Sequence, residues 1–229
     1  MKCLDFILKA IFPPHCLACG TSIAAGAMCK ACLDGIPRYQ TFFCANCGAR
    51  LPGTEKVCHP SADYILGSGG PYDNAALKLL IHHLKFRGVR DTAEPLADLL
   101  AHYLADIAID TSGFLLIPLP MHRKRWNERG FNQTEEIARC LAKRLPLRIR
   151  SDILARNRHA KPQTKTANAA ERRRNIIGCF SVVKPDDIRR KDIILLDDVT
   201  TSGATLGEAA RTLKAAGARK IIGLTAAKA

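Results

Sequence analysis

The stretch Ile193-Ile-Leu-Leu-Asp-Asp-Val-Thr-Thr-Ser-Gly-Ala-Thr205 decides the fold of this chain. Its first four residues are apolar, which predicts a strand buried on both faces, as in a parallel sheet. Two carboxylates, Asp197 and Asp198, follow at the end of that predicted strand. A helix is predicted immediately after the loop, because apolar residues recur there at helical spacing and Gly217 is a natural stop.

The loop between this strand and helix is predicted to bind a phosphate group. A helix N-terminus presents free backbone N–H groups and a partial positive charge, which favour a bound phosphate. Hydroxyl groups add donors, and glycine permits close backbone approach. The candidate ligand-binding residues are Thr201, Ser202, Gly203, Ala204 and Thr205. The two acids could accept hydrogen bonds from sugar hydroxyls or help to hold Mg²⁺. The alternative is an ordinary strand-turn-helix with a polar turn.

Composition narrows the classes of protein to which this chain can belong. The formal charge is +14 over 229 residues, which indicates anionic partners, whether phosphates, nucleic acid or a membrane surface. No run of eighteen apolar residues exists, so no transmembrane segment is expected. The start, Met1–Phe12, favours a short amphipathic helix over a signal peptide. Neither the Gly-x4-Gly-Lys nor the Gly-x-Gly-x-x-Gly nucleotide motif accompanies the predicted phosphate loop.

The N-terminal cysteines predict structural zinc. Eight of the ten cysteines precede residue 60, and six of them form Cys-x2-Cys pairs. Without a signal peptide, this usage indicates zinc thiolates in a reducing, cytoplasmic compartment. The first predicted ligand set is Cys16, Cys19, Cys29 and Cys32, and the second is Cys44, Cys47, Cys58 and His59. Ser61 stands where the repeat would place a fourth cysteine. Either His59 supplies the fourth ligand, or the second site is weak or empty.

A redox dithiol is the competing interpretation of the Cys-x2-Cys pairs. It is less favoured, because the pairs lack the strand-helix context of a thioredoxin-like site. Gly20 and Gly48 follow the first pair of each repeat, where they open a turn that lets backbone amides approach the thiolates. The metal is expected to hold this short segment together and to have no catalytic role. Cys3, Cys140 and Cys179 are isolated and are expected to pack.

Two domains are predicted, a zinc ribbon over residues 1–62 and an α/β domain over residues 63–229. The predicted helices run from about Asn74 to Phe86, from Thr92 to Leu104, and from a cap at Asn132 to Leu145. Glu135 is expected to complete a capping box with Asn132. Further strands are predicted at Phe114–Ile117, 179–183 and Ile221–Thr225. This alternation predicts a mostly parallel sheet with helices on both faces and ligands beyond the carboxyl ends of the strands.

Turn-forming or polar segments connect the predicted helices and strands. Gly67–Gly70 is predicted to be a flexible strand end or turn, and Pro118–Pro120 a rigid turn. Residues 121–133 are predicted to form a long mobile loop that carries Arg123, Lys124, Arg125 and Arg129. The region from Arg156 to Asn175 is also strongly basic. Sequence alone leaves open whether that region is a nucleic-acid-binding arm or a solvated charged face.

Taken together, these motifs resemble the ComF family, which includes the proteins called GntX. The resemblance covers about residues 12 to 228. The motifs that carry it are Phe12-Pro-Pro-x-Cys16, Lys85-Phe-Arg-Gly88, Ile117-Pro-Leu-Pro120, Arg125-x3-Arg129-Gly-Phe-Asn-Gln133, Gln163 with Glu171-Arg172-x2-Asn175, and the phosphate loop. The chain departs from the family pattern at Ser61, which bears on the second zinc, and at Thr166, where leucine is usual.

The resemblance implies a type I phosphoribosyltransferase-like domain behind the zinc ribbon. It implies that phosphoribosyl diphosphate, or a related sugar phosphate, binds with Mg²⁺ and places its 5′-phosphate on the phosphate loop. The expected catalytic residues are Asp197, Asp198, Arg125 and Arg129, and the expected pyrophosphate contacts add Leu119, Pro120 and Lys85. Family members are linked to DNA uptake in natural competence or to the use of DNA as a nutrient, and the acceptor is left open.

Two functions of different classes remain. The first is an active phosphoribosyltransferase, favoured by the intact acids and phosphate loop. The second is a non-catalytic nucleic-acid-handling factor that keeps the fold, favoured by the charge of +14 and by the zinc ribbon. Its partners would be single-stranded DNA, or proteins of DNA uptake and recombination.

Overall fold

A computed structural model of the protein describes residues 14–52, 58–157 and 174–229. The predicted amphipathic start lies outside this part of the chain, together with Cys3 and most of the second basic region, including Gln163 and Thr166. Every predicted zinc ligand and every predicted ligand-binding residue lies within it. No helix in the described ranges is long and apolar enough to cross a membrane.

Helices and strands alternate along the described residues. The strands are β1 Phe42–Cys44, β2 Arg50–Leu51, β3 Ile65–Pro71, β4 Phe114–Pro118, β5 Arg148–Ile149, β6 Leu154–Arg156, β7 Phe180–Val182, β8 Asp192–Thr200 and β9 Lys220–Lys228. The α-helices are α1 Lys30–Asp34, α2 Ala75–His82, α3 Ala93–Asp106, α4 Arg123–Arg129, α5 Gln133–Ala142 and α6 Ala204–Ala215. Helix α2 continues as a π-helical turn, His83–Arg87, and short 3-10 turns cover Arg90–Thr92 and Pro185–Ile188.

Seven strands form one sheet in the order β2-β1-β3-β9-β8-β4-β5. Strands β3, β9, β8, β4 and β5 pair in parallel, whereas β1 is antiparallel to both of its neighbours. Strand β8 is longer than its apolar run predicts, because its pairing with β9 continues to Thr200. Asp197 and Asp198 therefore lie inside the strand and not beyond its end. Strands β6 and β7 form a separate two-stranded sheet, so the strand predicted at 179–183 exists outside the main sheet.

Helices cover both faces of the main sheet. Helices α2, α3 and α5 pack on one face, where β8 contributes Ile194 and Leu196. Helix α6 packs on the other face, where β8 contributes Ile193 and Leu195. All four side chains are fully buried, which explains why the run is apolar without alternation. The mostly parallel α/β sheet, preceded by the cysteine-rich ribbon, confirms the predicted fold class.

The cysteine-rich segment joins the same sheet. Strand β1 pairs with the start of β3, so strands on both sides of residue 62 belong to one sheet. Phe42 shares a core with helices α2 and α3, and the Tyr103 hydroxyl of α3 donates a 2.9 Å hydrogen bond to the Thr41 carbonyl. The ribbon therefore covers an edge of the parallel strands that would otherwise be open to solvent.

The glycine-rich stretch Gly67–Gly70 lies inside strand β3, which excludes the turn, one of the two alternatives predicted for it. Close packing explains why glycine occupies these positions. A Cβ atom on Gly67 would lie 3.0 Å from the Tyr103 ring, and one on Gly70 would lie 2.7 Å from the Pro37 carbonyl oxygen. The absence of side chains lets the ribbon and helix α3 approach the strand backbone.

Residues 123–129 form helix α4 within the stretch that was predicted to be a mobile loop. The His122 side chain caps the helix by accepting a 3.2 Å hydrogen bond from the Lys124 N–H. Gly130 ends it in the left-handed conformation, with φ of 75°. None of the helix residues is buried, so no apolar periodicity could reveal the helix in the sequence.

We expect Gly70→Ala to destabilise the fold, because the added Cβ would press against the Pro37 carbonyl, a backbone atom. Overpacking of this kind costs about 1–3 kcal/mol of unfolding free energy. Gly207→Ala is the matched control, since its Cβ would lie 3.9 Å from the Tyr64 ring and alanine favours the helix by about 0.5–1 kcal/mol. Urea unfolding followed by circular dichroism measures both. Unchanged stability of Gly70→Ala would contradict the packing account.

Candidate functional site

The four cysteines of the first repeat come together in the structure. Cys16, Cys19, Cys29 and Cys32 place their sulfur atoms within 4.8 Å of one another, and Sγ of Cys19 lies 3.8 Å from Sγ of Cys29. Tetrahedral zinc with Zn–S bonds of about 2.3 Å requires sulfur separations of about 3.8 Å, so this set fits the metal. Burial raises the pKa of the Cys16 thiol, but backbone N–H groups of Cys29, Cys19 and Ala18 more than offset this and lower it to about 6.

His59 completes the second cluster. Its Nδ1 lies 3.4 Å from Sγ of Cys44 and 3.3 Å from Sγ of Cys58, and Sγ of Cys47 lies 3.5 Å from that of Cys58. Three thiols and one imidazole within 4.8 Å match a closed structural zinc site. Ser61 is not part of the cluster. Of the two alternatives for the second site, this geometry favours His59 as the fourth ligand.

A cleft of about 600 Å³ opens at the carboxyl edge of the parallel strands. Strands β4 and β8 are parallel neighbours, so the turn after β4 and the loop after β8 meet at this edge. The structure brings every predicted ligand-binding and catalytic residue to this cleft. These residues are Lys85, Leu119, Pro120, Arg125, Arg129, Asp197, Asp198, Thr201, Ser202, Gly203, Ala204 and Thr205.

The predicted phosphate loop leads directly into helix α6. Gly203 precedes the helix in the left-handed conformation, with φ of 69°, and its carbonyl accepts the N–H of Gly207 at 2.8 Å. A Cβ atom at position 203 would lie 2.8 Å from the hydroxyl of Tyr64, which donates to the Gly203 carbonyl at 3.4 Å. Glycine is therefore required both by backbone conformation and by space. The first residues of α6, whose N–H groups lack intrahelical partners, line the cleft.

Asp197 and Asp198 form an acid pair whose charges interact with each other and with that of Lys85. Nζ of Lys85 lies 2.7 Å from Oδ1 of Asp198, and Oδ1 of Asp197 accepts the Asp198 N–H at 2.8 Å. Burial and the neighbouring Asp198 charge raise the pKa of Asp197, and Lys85 offsets part of that rise. A ligand that donates hydrogen bonds or brings a cation would relieve the repulsion between the two carboxylates.

The cap residue of helix α5 and a residue in its first turn hold the turn after β4. Asn132 Nδ2 and Thr134 Oγ1 donate to the Leu119 carbonyl, at 3.1 and 2.8 Å. Oδ1 of Asn132 accepts the Thr134 N–H, so Asn132 caps α5 as predicted. Glu135 pairs with Arg139 at 2.7 Å, and the structure shows no reciprocal bond from it to the Asn132 N–H.

Three arginines line the cleft. Arg125 and Arg129 are one helical turn apart on α4, and the Arg129 guanidinium lies 5.2 Å from the centre of the Phe86 ring. The guanidinium of Arg156, in β6, lies 5.4 Å from the Phe180 ring centre. Partial burial and the Arg125 charge lower the pKa of both Arg129 and Arg156. Within the described ranges, no carboxylate forms an ion pair with these arginines. Their charge is therefore available to an anionic ligand.

Arg156 and Gln133 are among the residues that line the cleft without a role predicted from the sequence. Arg156 belongs to the basic region for which sequence patterns left two interpretations open. Its position depends on the pairing of β6 with β7, in which Arg156 lies opposite Phe180, a residue far along the chain. Gln133 is predicted only as part of a motif, although its position directly after the cap Asn132 marks it as the first residue of a helix.

Comparisons with known proteins agree with this architecture. The family model described as "Double zinc ribbon domain" matches residues 7–61. Competence protein F of Haemophilus influenzae is 28% identical over 221 residues, covering 90% of this chain and 93% of that protein. DNA utilization protein YhgH of Escherichia coli (strain K12) is 28% identical over 223 residues, covering 91% and 94%. Competence protein ComFC of Bacillus subtilis is 31% identical over 142 residues, covering 61% and 54%.

Similarity to solved structures is weaker and concerns the fold alone. A glutamine phosphoribosylpyrophosphate amidotransferase from B. subtilis, complexed with ADP and GMP, has a TM-score of 0.37 at 17% identity. The match covers 59% of this chain and 26% of that one, so this chain spans about a quarter of the amidotransferase. A hypoxanthine phosphoribosyltransferase from Staphylococcus aureus has a TM-score of 0.32 at 11% identity, covering 59% and 62%.

The fold and the cleft define a mostly parallel α/β protein with its candidate ligand site at the carboxyl edge of the sheet and a zinc ribbon joined to the sheet. Competence protein F and YhgH match this chain over almost their whole length. These relatives, together with the double zinc ribbon, support the resemblance of the chain to the ComF family. The ribbon match and the two clusters together support structural zinc.

The second cluster makes a prediction about zinc content. Zinc-loaded wild-type protein is expected to hold two ions per chain, one in each cluster. His59→Ala is expected to lose the second ion, because only three protein ligands remain, whereas His59→Cys should retain it. Ser61→Ala is the matched control and should leave the zinc content unchanged. Elemental mass spectrometry after gel filtration measures the ratio. Two ions in His59→Ala, or one ion in Ser61→Ala, would contradict the assignment.

Proposed function

We propose that the protein binds phosphoribosyl diphosphate together with Mg²⁺ in this cleft. The observation that carries the proposal is the meeting of three features there: an acid pair, a helix N-terminal phosphate loop, and cations without carboxylate partners among the described residues. The 5′-phosphate is assigned to Thr201–Thr205, and the ribose hydroxyls to Asp197 and Asp198. The diphosphate is assigned to the turn after β4 and to the arginines of α4.

The acid pair fits a Mg²⁺ ion that arrives with a phosphate ligand. Proteins usually hold Mg²⁺ through one or two carboxylates and complete its shell with water and substrate phosphates. Among the described residues, groups of three or more potential ligands occur only at the two cysteine-rich clusters. Asp197 and Asp198 would therefore hold the ion jointly with the diphosphate, where it would neutralise phosphate charge. Mg²⁺ alone should bind weakly.

The same cleft suits transfer of the phosphoribosyl group. In such a transfer the bond from the anomeric carbon to the diphosphate oxygen breaks, and its electron pair leaves with pyrophosphate. A nucleophile then adds to the oxocarbenium-like carbon. Negative charge grows on the leaving group, so fixed cations such as Arg125 and Arg129 stabilise the transition state more than the ground state. Helix α4 is held by few buried contacts, which would allow it to move over a bound ligand.

The names of the relatives support a role connected with DNA. Competence protein F and ComFC are named for competence, and YhgH is named for DNA utilization. We infer that this chain serves natural competence or the use of imported DNA. The sugar-diphosphate site would be its chemical contribution to that process.

Calorimetric titration with phosphoribosyl diphosphate and Mg²⁺ tests the proposed ligand. Zinc-loaded wild-type protein should bind it saturably, and Asp197→Asn/Asp198→Asn should bind at least about 100-fold more weakly. The reason is that each hydrogen bond to a charged group contributes about 1.5–3 kcal/mol. Mg²⁺ titrated alone should give no saturable heat.

Asp192→Asn is the matched control for this experiment. Asp192 lies at the opposite end of β8 and pairs with Arg219 at 2.6 Å, so its variant should bind like the wild type. Thermal unfolding confirms that each variant is folded. Absence of binding by folded wild-type protein, or equal binding by the double variant, would overturn the proposal.

An exposed aromatic and cationic surface favours a second function, the binding of single-stranded DNA. Phe86 is 64% exposed and Trp126 is 45% exposed, which is unusual for large aromatic side chains. Arg123 and Lys124 are exposed beside Trp126 on helix α4. Proteins that bind single strands combine such stacking surfaces with cations along the backbone path. The chain would then be a nucleic-acid-handling factor, with DNA-uptake or recombination proteins as its partners.

Fluorescence anisotropy with a labelled oligothymidylate tests this second function. Phe86→Ala and Trp126→Ala should each weaken binding about 5- to 150-fold, because stacking contributes about 1–3 kcal/mol per base. Val183→Ala is the matched control, since Val183 is 57% exposed and lies outside the cleft. Binding should fall steeply with salt and should survive Asp197→Asn/Asp198→Asn. DNA binding that is insensitive to both aromatic substitutions would argue against this surface.

A further inference from the structure

Gln133 is a buried amide with an unused hydrogen-bond donor beside the cleft. It is the first residue of helix α5, it is 2% exposed, and it lines the cleft. Its Nε2 atom has no hydrogen-bond partner in the described part of the protein. Burial of a polar group without a partner is unfavourable, and native chains rarely retain one. The position of this donor indicates that a bound ligand supplies the acceptor.

The neighbours of Gln133 on both sides hold it in place. Asn132 and Thr134 both donate to the Leu119 carbonyl, and Oγ1 of Thr134 also lies 2.8 Å from Oδ1 of Asn132. These bonds tie the start of α5 to the turn that follows β4. Gln133 is therefore fixed next to the turn to which the diphosphate is assigned, while its Nε2 atom has no partner in the described part of the protein.

The charges around the start of α5 favour an anionic acceptor. The helix has ten residues, so its N-terminus carries a partial positive charge. The two acids of its first turn, Glu135 and Glu136, are paired with Arg139 at 2.7 and 3.2 Å. Lys85 and the arginines of α4 line the same cleft. A phosphate oxygen matches these surroundings better than a neutral carbonyl does.

We propose that Gln133 donates a hydrogen bond to a diphosphate oxygen, which makes the start of α5 a diphosphate subsite. This inference rests on the proposed binding of phosphoribosyl diphosphate and deepens it. The ligand would then span two helix starts, with its 5′-phosphate at α6 and its diphosphate at α5. These helices follow β8 and β4, which are parallel neighbours in the sheet.

Titration calorimetry with three probes and Mg²⁺ separates the subsites: phosphoribosyl diphosphate, inorganic pyrophosphate and ribose 5-phosphate. Gln133→Met removes the donor at similar size, and Gln133→Glu replaces it with a negative charge. Both should weaken pyrophosphate and phosphoribosyl diphosphate about 10- to 100-fold, with the larger loss in Gln133→Glu. Ribose 5-phosphate should bind within about twofold of wild type, since it lacks the group that Gln133 contacts.

Matched variants control the experiment. Gln40→Met and Gln40→Glu make the same chemical changes at an exposed position outside the cleft, and they should bind all three probes like the wild type. Ser202→Ala should show the converse selectivity, weakening ribose 5-phosphate and leaving pyrophosphate unchanged. Gln133→Asn, which keeps the amide but shortens its reach, replaces Gln133→Met if thermal unfolding shows that the latter does not fold.

The outcomes distinguish this inference from the function on which it rests. Wild-type protein that binds none of the three probes overturns both. Wild-type protein that binds phosphoribosyl diphosphate, with Gln133 variants of equal affinity, overturns only the Gln133 assignment. Equal weakening of all three probes in the Gln133 variants would show a general structural effect and would also contradict the diphosphate subsite.

Discussion

The parallel pairing of β4 with β8 is the constraint on which the candidate site depends. Pro118 is in register with Leu196, and the Leu119 N–H donates to the Leu196 carbonyl at 2.8 Å. This register brings the turn after β4 alongside the acid pair that follows Leu196. A slip of one residue would turn every side chain of β8 to the opposite face, so burial of the apolar run and placement of the acids depend on the same pairing.

The zinc ribbon contributes to the site through the structure of the sheet. Strand β1, which contains the zinc-ligand candidate Cys44, pairs with β3 at its first residues. Tyr64 directly precedes β3, packs against the position where a Gly223 side chain would lie, and bonds to the Gly203 carbonyl. A short chain of contacts therefore joins the cluster of Cys44, Cys47, Cys58 and His59 to the predicted phosphate loop. Through these contacts, a structural zinc ion at the second cluster would support the geometry of the cleft.

The features that could be predicted from sequence are those with strong local signals. The apolar run before Asp197, the cysteine spacing and the cap at Asn132 each correspond to one physical requirement that neighbouring residues reveal. The predictions that failed concern features that depend on residues distant in the sequence. The glycines of β3 resemble a turn until the Tyr103 ring and the Pro37 carbonyl are known to lie against them. Helix α4 has no fully buried residue that could give an apolar pattern, and Arg156 reaches the cleft because β6 pairs with a strand distant in the sequence.

The most direct test of the central claim is a crystal structure of the zinc-loaded protein grown with phosphoribosyl diphosphate and Mg²⁺. The account predicts density for the 5′-phosphate at the start of α6, and for the diphosphate between the Leu119–Pro120 turn and Gln133. It also predicts ribose hydroxyls within hydrogen-bond distance of Asp197 or Asp198. A fully occupied ligand bound elsewhere, or bound in this cleft in the reverse orientation, would contradict it.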